Sequence, residues 1–151
     1  MTKLVNTWLA LALLLGVVFQ PASAQSNTYE EFGNYRVFYS VFNSTFLTPE
    51  IAELHGFSRA SNRALVNIAL IHSIEEGDSL GLPARVEGAA QNLIMQSKPL
   101  NFVEVRDGDA VYYLASFSFN NEEPLHFTIN VDHEGTASPY QVKFTKTLYR
   151  D

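Results

Sequence analysis

Gly77-Asp78-Ser79-Leu80-Gly81 is the segment of this chain whose residue types and spacing most resemble covalent catalysis. It fits G-x-S-x-G, in which a serine nucleophile sits on a sharp strand-to-helix turn above a parallel sheet, with backbone N–H groups beside it for the oxyanion. A strand-like run does precede the motif. Leu82, Pro83 and Ala84 then lead into another strand-like run, so no helix follows to support the turn. Gly, Asp and Ser are also ordinary turn residues. The segment therefore reads as a solvated loop, and no catalytic residue is assigned. A small serine hydrolase using Ser79 with His126 or His72 stays as the alternative.

The other reactive residue types are dispersed. His55, His72, His126 and His133 make no His-x-His or His-x-x-x-His spacing that would aim two imidazoles at one ion. Asp107-x-Asp109 and Asp132-x-Glu134 offer two carboxylates each, short of the six to eight oxygens calcium takes. No metal or cofactor site is assigned. Asn43-Ser44-Thr45 fits the N-glycosylation acceptor pattern, usable only in a host with that machinery. Arg59 and Arg63 form a small basic island in Ser58-Arg59-Ala60-Ser61-Asn62-Arg63. Guanidinium forks suit carboxylates and phosphates, so these two are the candidate interaction surface; pairing with Glu50 or Glu53 is the bland reading.

Composition narrows the partners. Sixteen acidic residues against ten basic ones give a net charge of −6, which repels phosphate backbones and anionic lipid headgroups. Nucleic acid is excluded on this ground. The chain has no cysteine, so disulfides, thiolate metal sites and cysteine nucleophiles are excluded too. Residues 1–24 read as a cleavable export signal: Lys3, an apolar run from Trp8 to Phe19, then Ala22-Ser23-Ala24 before a mature start at Gln25. The apolar run is shorter than the ~20 residues a spanning helix needs, so no membrane anchor is expected after cleavage.

The elements that must position these groups are mostly strands. Alternation of period two marks Tyr29 to Phe32, Tyr35 to Phe42, Ala64 to His72, Ala84 to Leu93, Asn101 to Arg106, Ala110 to Phe119, Leu125 to Val131 and Tyr140 to Leu148. Asp107-Gly108-Asp109 reads as a hairpin turn. Tyr35 to Phe42 is apolar on both faces, as expected of a strand covered from two sides. Thr48 to Gly56 is the one convincing helix after the signal, with Thr48 as cap, Pro49 at the first position and Gly56 as stop. So short a helix must dock, and Ile51 and Leu54 are its apolar pair. Residues 25–151 are thus expected to form one all-β domain, an antiparallel two-sheet sandwich of seven to eight strands, immunoglobulin-like, with one short helix. A small closed barrel is the other architecture.

Two resemblances bear on this reading. The letters of residues 77–80 spell the signature of the GDSL esterases, but those are larger α/β proteins with the nucleophile near the mature start. Their late Asp-x-x-His is missing, its nearest echo being Glu123-Pro124-Leu125-His126. Over the whole mature chain, Phe42-Asn43-Ser44-Thr45-Phe46-Leu47-Thr48-Pro49-Glu50-Ile51-Ala52, the continuation through Gly56 and Arg59 to Asn67, Ala110-Val111-Tyr112-Tyr113 and Phe127-x-Ile129-x-Val131 resemble domain-of-unknown-function family DUF4426. That resemblance implies a small exported bacterial protein, a periplasmic setting and a compact β domain, with no activity or cofactor. The expected function is that of a non-enzymatic binding or accessory module, meeting a protein partner or a small ligand. Its contact would be an edge strand, the Thr48 to Arg63 segment, or a pocket between the sheets with Arg59 or Arg63 at its mouth.

Overall fold

In the computed structural model, residues 28–151 are described. The expected export signal and cleavage site lie outside the described residues. Among the described residues ten strands form: β1 (Tyr29–Phe32), β2 (Tyr35–Asn43), β3 (Arg63–Ile74), β4 (Gly77–Asp78), β5 (Arg85–Gln91), β6 (Ser97–Leu100), β7 (Val103–Asp107), β8 (Ala110–Ser118), β9 (Pro124–Asp132) and β10 (Tyr140–Thr147). They make two antiparallel sheets. The first runs β1-β2-β3-β8-β7, with β4 added to β3; the second runs β10-β9-β5-β6. The architecture is the two-sheet sandwich, not a barrel.

Alternation explains the packing. Val37, Val66, Ile68, Leu70, Val111 and Phe117 from the first sheet meet Phe127, Ile129, Val131 and Val142 from the second, all at most 5% exposed. Each such side chain stabilises by roughly 1.5–3 kcal/mol through burial. Aromatic rings fill the widest part: Phe127 lies 4.8 Å from Phe144 and 5.3 Å from Phe117, and Phe144 stacks on Tyr39 at 4.3 Å, centroid to centroid.

Strand β3 has two partners along one edge. β2 pairs with it from Ala64 to His72 on one side. On the other side β8 pairs with Arg63–Ile68, and from there the Gly77–Leu82 segment takes over through β4 and a bridge from Leu82 to Leu70. The sequence pattern missed β4 and β6. β6 is a four-residue edge strand containing Pro99, whose missing N–H is tolerated only at an edge.

The helix α1 (Pro49–His55) forms where the sequence places it. Thr48 Oγ1 accepts from Ile51 N at 3.3 Å, and Gly56 closes the helix in the left-handed region at φ 71°. Its docking side differs from expectation. Ala52 is the buried residue, whereas Ile51 and Leu54 are 45% and 73% exposed. The small residue is covered, and the larger pair flanks a groove instead. Likewise β2 is not buried on both faces: Val37 is buried on the inner face with Tyr35, Tyr39 and Val41 partly buried against the core, while on the outer face Phe38 and Phe42 are half-buried and Ser40 is exposed.

Candidate functional site

The outer face of the first sheet is the part of the molecule built like a binding surface. Leu65, Asn67, Ala69 and Ile71 of β3 point away from the inter-sheet core, alternating with Val66, Ile68 and Leu70, which point into it. Ser40 of β2 and Leu114 of β8 stand in register on either side of Asn67. One wall is the chain between β2 and β3. Ser44 Oγ both donates to the Ala60 carbonyl and accepts from Ala60 N, each at 3.0 Å, pinning the two ends of that excursion together.

Two depressions result. One, of about 540 Å³, is lined by Phe38, Ala69, Ile71, Tyr112 and Ser79 among others. The second, of about 480 Å³, lies between the sheet and α1, lined by Ile51, Leu54, Phe57, Val105 and Leu114 among others. Asn67 and Tyr112 line both, so the two adjoin there. Asn67 Oδ1 is shielded from solvent and accepts no hydrogen bond from the described residues. An unpaired buried acceptor costs about 1–3 kcal/mol. The groove floor thus holds one oriented acceptor among apolar walls, a pattern suited to an apolar ligand carrying an N–H or O–H donor.

The motif residues are placed differently from a catalytic site. Ser79 Oγ accepts from His72 N at 2.9 Å and donates to the Leu80 carbonyl at 2.8 Å, so its hydroxyl is engaged by backbone groups. The imidazole of His72 instead stacks on Tyr35 at 4.5 Å. The segment is no solvated loop, since it runs along β3 and half-buries Ser79. Gly81 is fixed by space: a Cβ there would come 2.2 Å from the Val111 carbonyl oxygen, and its own carbonyl accepts from Val111 N at 2.9 Å. The second glycine of the G-x-S-x-G match is therefore accounted for by strand packing.

Arg59 and Arg63 are not paired with Glu50 or Glu53; among the described residues neither joins an ion pair. Arg59 is exposed and donates to the Thr45 carbonyl at 3.1 Å. Hydrogen bonds from the backbone N–H of Glu50 itself and from the Thr48 side chain, and to a smaller extent the charge of Arg59, hold the Glu50 carboxyl below the ordinary glutamate value. Arg63 is half-buried and donates to Ser116 Oγ through Nε at 3.3 Å and Nη2 at 3.1 Å. Among the described residues no histidine joins an ion pair: His126 Nδ1 lies 2.7 Å from Thr145 Oγ1, and His133 packs on Tyr35. No group of three His, Asp or Glu placed to hold a metal occurs among the described residues. Inner aromatic side chains close the space between the sheets, so the depressions lie on the outer face, apart from a third at one end around His133 and Tyr140. Asn67 escaped the sequence reading, although it is the lone amide inside the apolar run Ala64 to Ile71.

Comparison with known proteins agrees with this architecture. No curated protein matches the chain. A DUF4426 family protein from Pseudomonas aeruginosa PAO1 superposes with a TM-score of 0.71 at 32% identity, covering 82% of this chain and 94% of that one. FetP from uropathogenic E. coli strain F11, produced in the E. coli periplasm, shares the fold with a TM-score of 0.58 at 10% identity, over 81% of this chain and 93% of FetP. The family description "domain of unknown function (DUF4426)" matches residues 29–151, and the chain belongs to that family.

Proposed function

We propose that this chain is an exported, non-enzymatic binding module of the periplasm, which holds a small apolar ligand with a hydrogen-bond donor on the outer face of its first sheet. The observation that carries this reading is the shielded, unpartnered Oδ1 of Asn67 at the junction of the two depressions. Each depression falls in the usual size range of small-molecule sites, roughly 300–1,000 Å³. The export signal supports the compartment. Arg59, exposed on the wall segment, is the contact offered to an acidic group of the ligand or of a protein partner.

A thermal-shift screen of amphiphiles that differ only in a terminal amide, alcohol or methyl group tests the site. Amides and alcohols that bind must raise the melting temperature of the wild type, and the methyl-ended compounds must do so less. If all three act alike, or if Asn67→Leu keeps the difference, the groove is not the site.

A further inference from the structure

Among the described residues β1 and β7 end the first sheet, and β10 and β6 end the second. An end strand offers the N–H and C=O groups of one edge to any further strand, and natural proteins guard such edges with charge or proline. Three of these four carry such a guard. β6 has Lys98 and Pro99, β1 has Glu30 and Glu31, and β10 has Lys143 and Lys146. A second copy of β1 or β10 would bring charges of the same sign to the edge. β7 differs: Val103-Glu104-Val105-Arg106-Asp107 holds charges of both signs and no proline. It pairs with β8 along one edge, and among the described residues no backbone group bonds to the other.

The charge pattern of β7 complements itself. Glu104 and Arg106 stand on one face of the strand, and Arg106 Nε donates to Glu104 Oε1 at 2.7 Å. Turning a second β7 antiparallel about Val105 sets Glu104 of each copy opposite Arg106 of the other. The four side chains then form a square in which each carboxylate has one guanidinium on its own strand and another across from it. On the other face Val105 meets Val105, and Val103, 41% exposed in the single chain, lies across from Asp107. Centring the pair on Glu104 or on Arg106 instead sets like charges face to face, so the charges also fix the register.

We propose that β7 is a contact between two copies of this chain, joined antiparallel about a two-fold axis through Val105 so that their first sheets merge. The charge alternation favours a second copy over a foreign strand, because the matching strand must carry Arg and Glu in the reverse order, and β7 run antiparallel supplies it. Val105 also lines the depression beside α1, with Ile51 and Leu54. The axis therefore sets the depressions of the two copies side by side on one face of the joined sheet. Strands of five residues bury less than a standard interface of ~1,600 Å², so the dimer is reversible and forms at high protein concentration. Asn67 takes no part in this pairing, so the contact does not depend on the ligand reading.

Sedimentation equilibrium at submillimolar to millimolar protein shows a monomer–dimer equilibrium for the wild type. Glu104→Arg and Arg106→Glu each set like charges across the axis and weaken the dimer about tenfold or more. An equimolar mixture of the two single variants regains it, since each offers the charges that the other lacks; a variant that failed to fold could not do this. The chain has no cysteine, so Val105→Cys reads the register without background. That position lies opposite itself and crosslinks under mild oxidation, whereas Val103→Cys, opposite Asp107, does not. A wild type that stays monomeric at these concentrations, mixed variants that stay apart, or crosslinking at position 103 in place of 105 would overturn the proposal.

Discussion

Replacing Asn67 by leucine removes a shielded acceptor without emptying its space, and the effect can be worked from the groove floor. Oδ1 has no partner among the described residues, so its desolvation is uncompensated by about 1–3 kcal/mol. Leucine is close in volume, and its neighbours on the same face, Leu65 and Ala69, are 0% and 7% exposed. For a domain of this size each kcal/mol moves the melting temperature by about 4 °C. Asn67→Leu is therefore expected to melt about 4–12 °C above the wild type by calorimetry without ligand. The same variant loses the stabilisation that donor-bearing ligands give the wild type. Asn67→Asp places a carboxylate at the same spot and lowers the melting temperature instead. A drop in melting temperature for Asn67→Leu would show that the amide is already satisfied in solution, and the argument for a ligand at this position would collapse.

Gly81→Ala puts a Cβ 2.2 Å from backbone, where no side-chain rotation can relieve it; a loss of about 3 kcal/mol or more is expected in urea melts, and a loss below about 1 kcal/mol would contradict the packing. Ser79→Ala removes the acceptor for His72 N and costs about 1 kcal/mol, while a serine-directed fluorophosphonate labels the wild type no more than the variant; specific labelling of Ser79 would restore the hydrolase reading. Glu50 is held below the ordinary glutamate value, so the stability it contributes is present above its unfolded pKa and is lost as pH falls through the lowered folded one. Glu50→Gln should accordingly melt below the wild type at neutral pH, with the gap closing at more acidic pH; a gap that persists at acid would refute the charge account.

The strands, the helix with its caps and the acidic turns were legible because each rests on local chemistry: alternation, Thr48 and Gly56, Asp107-Gly108-Asp109. β6 was not, since Ser97-Lys98-Pro99-Leu100 has no alternation of its own and is held only by pairing with β5. The site was harder still. Asn67 became notable only when Ser40 and Leu114 came into register beside it, contacts spanning residues distant in sequence. Ser79 shows the converse, because its motif was readable and its surroundings, two backbone groups in place of an imidazole, were not. Helix periodicity marked Ile51 and Leu54 as apolar but could not say that Ala52 would be the buried residue of the helix.

Because β3 is bonded along both edges, to β2 on one and to β8 and then the Gly77–Leu82 segment on the other, its amides open only when the domain unfolds as a whole. Its amides, like those of β9 in the second sheet, are therefore expected to be among the slowest of the described residues to exchange hydrogen. The walls do not share that constraint: α1 is two turns long and β4 only two residues. A ligand settling on Asn67 would find its acceptor already fixed and would spend its ordering entropy on the walls. Affinity would then be set less by the floor than by the segment between β2 and β3.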